Sequence, residues 1–158
     1  MPTITPFIMF NNQTEEAVHF YASVFKNSRI ISLNRSPDAM LGAGSQAQSA
    51  TFELDGHPYL MFNGGPHFVP SEAFSMFVSV ETQAEVDELW EKLTADGGEP
   101  GQCGWLKDKF GLSWQVIPTA LGQLMGDPDP EKAGRVMQAM LQMNKLDIAA
   151  LQAAHDQA

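Results

Sequence analysis

The feature that most constrains this chain is a pattern of apolar segments that occurs twice. Residues 4–10 form a short apolar run closed by Asn11-Asn12, too short for a helix, and read as a strand. Thr14 then stands as a helix N-cap, with Glu15 and Glu16 in the first turn, where the helix dipole favours acids. Ala17, Val18, Phe20, Tyr21, Val24 and Phe25 come next at spacings of three and four, which predicts an amphipathic helix ending near Phe25. Strands are predicted over 29–34, 48–54 and 57–62, the last two joined by the hairpin signal Asp55-Gly56. Between them, residues 36–48 are small, polar and glycine-rich and read as a mobile loop. The order then restarts after Asn63-Gly64-Gly65-Pro66. A strand over 74–80 leads to a capping box, Thr82 with Glu85, and a helix with Val86, Leu89, Trp90 and Leu93 on its apolar face. Asp96-Gly97-Gly98 stops that helix. A poorly marked strand near Glu99 and clearer ones over 101–107 and 112–117 complete the second copy, or that copy is shorter by one strand.

The rest of the chain reads as helical. Residues 118–126 form a short helix or turn. Asp129-Pro130-Glu131 supplies an N-cap, a proline at the first helical position and an acid behind it, and Val136, Met137, Met140 and Leu141 are the apolar face. Asp147 caps a last helix over 148–157. The expected organisation is a domain over 1–126, made of modules of about 1–66 and 67–126. A helical extension over 127–158 packs on the domain or on a dimer partner.

Composition narrows the function classes. The formal net charge of −10, from 19 acids against 9 scattered bases, disfavours nucleic acid and anionic membrane surfaces. The lone Cys103 can form neither an intramolecular disulfide nor a thiolate zinc site, which suits a reducing compartment. The first residues lack a signal-peptide pattern, and no apolar run approaches the roughly 18 residues of a membrane span. The expectation is a soluble cytoplasmic protein.

Local phrases sharpen the fold. Phe7-Ile8-Met9-Phe10 with Ala17, Phe20, Tyr21 and Phe25 resembles the first strand and helix of the vicinal-oxygen-chelate (glyoxalase/bleomycin-resistance) superfamily. Asn63-Gly64-Gly65-Pro66 and the run 104–115, with its Asp108-Lys109-Phe110-Gly111 followed by Trp114-Gln115, resemble the PhnB-like branch, and the segment 144–151 is similar to it as well. That branch is often labelled 3-demethylubiquinone-9 3-methyltransferase-like. The resemblance implies an α+β fold, with tandem βαβββ modules forming a cupped mixed sheet and a C-terminal helical extension, and a homodimer. It also implies a divalent metal held near four positions: Thr5 or Phe7, Leu60 or Met61, Ser75, and Gln115. Only Gln115 offers a good donor there, so no metal site and no cofactor are expected.

The candidate ligand-binding residues are Phe7, Met9, Met61, Asn63, His67, Ser75, Phe77, Cys103, Trp105, Trp114 and Gln115. Phe7, Met9, Met61, Phe62, Phe77, Trp105 and Trp114 together suggest an apolar aromatic pocket, although each alone is ordinary core. Gln115, Asn63 and Ser75 would be its polar groups. His67 is the best placed of four histidines, and it competes with an ordinary loop histidine. Cys103 is read on a strand as a buried thiol, with Lys107 two residues beyond Trp105 as its only activating neighbour.

Three functions are weighed. The first is a metal-free small-molecule binder, or an enzyme without a metal, for which an acidic surface would steer a cationic drug. The second is a metal-dependent lyase, isomerase or dioxygenase using His67, Gln115 or Glu53. The third is the methyltransferase of the family label. No glycine-rich turn follows a strand to hold S-adenosylmethionine; Gly42-Ala43-Gly44 sits in the polar loop.

Overall fold

The computed structural model describes residues 1–35 and 47–157. Most of the predicted loop, including Gly42-Ala43-Gly44, lies outside them. The chain divides into two compact units, residues 1–70 and 71–158.

In the first unit the elements are β1 (Phe7–Phe10), α1 (Thr14–Val24), β2 (Ser28–Arg35), β3 (Ala47–Leu54) and β4 (His57–Asn63). The sheet order is β1-β4-β3-β2, with β1 parallel to β4 and the other pairs antiparallel. Strand alternation sends Ile8, Phe10, Ala50, Phe52 and Met61 to one face, where Ala17, Val18 and Tyr21 of α1 are buried with them. The Tyr21 ring lies 6.5 Å from Phe10 and 6.3 Å from Phe52. Each large side chain buried there contributes about 1.5–3 kcal/mol. Asp55 (φ 52°) and Gly56 (φ 77°) both take the left-handed conformation that a two-residue hairpin requires, as their sequence predicts.

The start of α1 differs from its sequence reading. Thr14 is the first helical residue, not the cap, and Gln13 at the N-cap makes no side-chain bond. Instead Asn63 Oδ1, from the end of β4, accepts the Thr14 N–H at 2.9 Å. Asn63 Nδ2 donates to the Ala47 carbonyl, so one side chain ties β4 to α1 and β3. Glu15 takes both guanidinium nitrogens of Arg35 and the Ala47 N–H. The Arg35 hydrogen bond, then that of Ala47, holds the Glu15 carboxyl below its ordinary range.

The second unit repeats the module: β5 (Ser75–Val80), α2 (Gln83–Thr94), β6 (Glu99–Pro100), β7 (Trp105–Lys107) and β8 (Ser113–Pro118), in sheet order β5-β8-β7-β6. Again the first strand pairs in parallel with the last. The poorly marked strand is real but two residues long, and the predicted capping box of Thr82 and Glu85 is complete. The sheet's helix-facing side holds Leu106, Trp114 and Val116, buried with Val86 and Leu93 of α2.

The residues expected to begin a strand at Gly101 turn instead. Cys103 (φ 58°) and Gly104 (φ 85°) are both left-handed, and β7 starts only at Trp105. A side chain at Gly104 would meet Ile117 Cδ1 at 2.9 Å and Leu146 Cδ1 at 3.1 Å. The turn's amides reach the C-terminal region, Cys103 N–H to the Met143 carbonyl and Gly104 N–H to that of Asn144, each at 2.8 Å. Those bonds dock three helices: α3 (Thr119–Met125), α4 (Pro130–Leu141) and α5 (Ile148–Asp156). Leu121, Leu124, Val136, Leu146 and Leu151 form their core. The predicted caps hold, Asp129 on α4 with Pro130 inside it and Asp147 on α5. The predicted apolar face of α4 is only partly used: Val136 is buried, while Met137 and Leu141 stay exposed because the cluster spans a narrower stripe.

Candidate functional site

Each sheet has one face under its helix and one face turned the other way, and strand parity sorts the candidate residues between them. In the first unit Phe7 and Met9 share the open face with Leu60 and Phe62; the Phe7 and Phe62 rings are 6.1 Å apart. Met61 and Asn63 lie on the helix-facing side, Met61 in the core and Asn63 at its capping bonds. His67 is exposed in the segment after β4.

In the second unit, Ser75, Phe77, Trp105 and Gln115 come together on the open face. Register places Phe77, Gln115 and Trp105 side by side across three strands. The neighbouring row runs Ser75, Ser113, Lys107 and Glu99. Gln115 Nε2 donates to Ser75 Oγ at 3.0 Å across the two rows. Trp114 is on the opposite face, 1% exposed. Cys103, in its turn, is half-buried.

The Asp-Lys-Phe-Gly phrase owes its pattern to structure. Asp108 is 2% exposed, and its Oδ1 accepts the N–H groups of Phe110 and Leu112 at 2.9 and 3.1 Å. Its Oδ2 accepts the Trp114 indole N–H at 2.9 Å. The spacing of six between Asp108 and Trp114 is thus the reach from a turn to the strand that leaves it. The carboxylate is consumed in folding the β7–β8 connection and offers no free acid or base.

An open groove of about 400 Å³ lies at the β6–β7 edge of this second sheet, lined by Glu72, Glu99, Pro100, Trp105, Lys107 and Ser113 among others. Glu72 Oε1 and Lys107 Nζ are 2.7 Å apart, which lowers the Glu72 pKa and raises that of Lys107. Ser113 is 1% exposed, and its Oγ has no hydrogen-bond partner among the described residues. Leaving such a hydroxyl unpaired costs about 1–3 kcal/mol. Sequence reasoning missed Glu72 and Ser113. Ser113 did carry a signal, two residues before Gln115 and therefore on the same face; Glu72, in an irregular stretch, carried none.

The positions at which the superfamily resemblance implies a metal do not fit one. Phe7, Leu60 and Met61 have no oxygen or nitrogen in their side chains, Thr5 and Ser75 offer only weak neutral hydroxyls, and the Gln115 carbonyl oxygen is the one good donor among these positions. Among the described residues no three His, Cys, Asp or Glu side chains gather as a metal would need. His155, near the end of α5, is held by Asp127 at 2.8 Å and Asp156 at 2.9 Å.

A βαβββ module made twice, with the first strand of each parallel to the last, defines the vicinal-oxygen-chelate class of proteins. Within it, the profile of the family described as 3-demethylubiquinone-9 3-methyltransferase matches residues 2–117, and this chain belongs to that family. The match stops at Ile117, so α3–α5 and the 144–151 segment lie beyond it. The PhnB protein of Bacillus cereus, which carries the same description provisionally, is 33% identical over 74% of this chain and 99% of its own, with a TM-score of 0.64. Protein PA1353 of Pseudomonas aeruginosa shares the fold at 17% identity, over 75% of this chain and 98% of that one (TM-score 0.55). So does the fosfomycin resistance protein FosX of Listeria monocytogenes, solved with Mn(II) and sulfate, at 17% identity over 73% and 91% (TM-score 0.51). No curated protein matches the chain.

Proposed function

We propose that this protein binds a small organic molecule without a metal, on the open face of its second sheet. The observation that carries this is the Ser113 hydroxyl, buried without a partner among the described residues in a groove that Trp105 and the charged Glu72, Glu99 and Lys107 also line. A concave apolar lining with a few convergent polar groups is the ordinary make-up of a small-molecule site. Ser75, Phe77 and Gln115 extend the same face beyond the groove. Residues 1–126 act as the ligand-binding domain in this reading, and 127–158 as a packing extension.

The test is elemental analysis of the purified protein before and after dialysis against divalent cations, followed by ligand-observed screening with and without chelator. The expected result is substoichiometric metal and ligand binding that chelator leaves unchanged. Near-stoichiometric metal whose removal abolishes binding would replace this reading with a metal-dependent lyase, isomerase or dioxygenase. The Mn(II) in FosX makes that the second reading to test. The methyltransferase description is tested separately by calorimetry with S-adenosylmethionine. The chain after β1 runs through Asn11-Asn12-Gln13 and after β5 through Glu81-Thr82, neither of them the glycine turn that usually cradles a nucleotide-like cofactor. No heat of binding is expected.

A further inference from the structure

From the lining of this groove we infer the class of its ligand: a flat organic cation carrying a hydroxyl or N–H group. The inference rests on the small-molecule reading above and adds the charge and shape of what is bound. Three observations carry it. The first is charge. Two carboxylates, Glu72 and Glu99, and one ammonium, Lys107, line the groove. Lys107 is already engaged by Glu72 at 2.7 Å, so the negative charge of Glu99 is left over. A bound anion would have to displace Glu72 from Lys107 while facing Glu99, in a protein of net charge −10. The second is the aromatic group: Trp105 is one of the lining residues, and an indole face attracts a cation that stacks on it. The third is the Ser113 hydroxyl. It is buried beside Lys107 in the row Ser75, Ser113, Lys107, Glu99 and has no partner among the described residues. Whereas Ser75 Oγ already accepts from Gln115, Ser113 has both a proton and lone pairs to offer a ligand.

The experiment uses the full chain and three probes of one shape: 2-naphthylmethylamine, 2-naphthalenemethanol and 2-naphthoate. Binding is read from the Trp105 indole N–H signal in a nitrogen-edited proton spectrum at low salt, with Trp105→Phe identifying that signal among the three tryptophans. The amine should bind about tenfold tighter than the carboxylate, with the alcohol between them. Glu99→Gln, an exposed substitution, should weaken the amine several-fold and leave the alcohol unchanged. Ser113→Ala should weaken both amine and alcohol without lowering the melting temperature. If 2-naphthoate binds as tightly as the amine, or Glu99→Gln changes nothing, the cation inference is overturned while the groove remains a binding site. If none of the three probes moves the Trp105 signal, the small-molecule reading of the groove fails with it.

Discussion

Two buried hydroxyls show how similar groups serve different ends. Thr14 Oγ1 and Ser113 Oγ are both enclosed without a partner among the described residues. Thr14 lies in the first turn of α1, where its unpaired hydroxyl costs stability. Thr14→Val, which keeps the shape and removes the hydroxyl, should stabilise the protein by about 1 kcal/mol in denaturant titration. Asp108 is the opposite case, a buried acid with its oxygens engaged. Asp108→Ala strands two backbone N–H groups and the Trp114 indole, and should destabilise the fold by about 3 kcal/mol or more. Trp114→Phe removes one donor and should cost about 1–3 kcal/mol. A larger loss for Trp114→Phe than for Asp108→Ala would contradict this bonding.

At the scale of elements, the helix ends differ in how they are held. The caps of α2, α4 and α5 come from neighbouring residues in sequence, whereas α1 is capped by Asn63, 49 residues away. Asn63→Ala should therefore cost about 1–2 kcal/mol and weaken hydrogen-exchange protection at the start of α1 and along β3 together. The C-terminal helix carries a pH dependence. Asp156 first, then Asp127, raises the His155 pKa above 6.5. The imidazolium's contribution is thus complete below the unfolded value of 6.5 and is lost as pH rises through the higher folded value. Both aspartates are held below 3.8, Asp127 mainly by the Asp129 N–H and Asp156 mainly by His155, so their contribution disappears as pH falls through those lowered values. Melting temperature should fall between mildly acidic and alkaline pH in the wild type, and His155→Gln should remove that part of the fall. An unchanged profile in the variant would show that the pair contributes nothing.

At the scale of the whole molecule, the open faces leave large apolar side chains in solvent: Phe7 at 56% and Phe77 at 59% exposure. Isolated exposed apolar residues are ordinary, but Phe7 sits beside Phe62, and Phe77 shares a row with Trp105 across Gln115. We propose that a homodimer, which the family resemblance implies, covers them. Sedimentation of the wild type should give a dimer, and Phe77→Lys or Phe7→Lys should shift it to monomer; a wild-type monomer at micromolar concentration would remove the proposal. No helix among the described residues is long and apolar enough to cross a membrane.

Much of this protein was legible in local chemistry. Asp55-Gly56 marked its hairpin, Thr82 and Glu85 their capping box, and Asp129-Pro130 the start of α4, because each depends on residues a few positions apart. The repetition of the module was legible too, since alternation and helical spacing are local periods. The site was less so. Met61 and Trp114 read as pocket residues beside Met9 and Trp105, yet a shift of one position along a strand sends a side chain to the other face. Only the register decided that Trp105, Gln115, Ser113 and Lys107 share a surface while Trp114 turns to the core. Cys103 read as part of a strand because its turn is set by backbone bonds from this segment to the distant Met143 and Asn144. Sequence by itself determined which segments would be strands and helices, through short-range periodicity and capping. Tertiary structure decided which side chains meet, because pairing between strands and docking of distant carbonyls are set by contacts that no local pattern encodes.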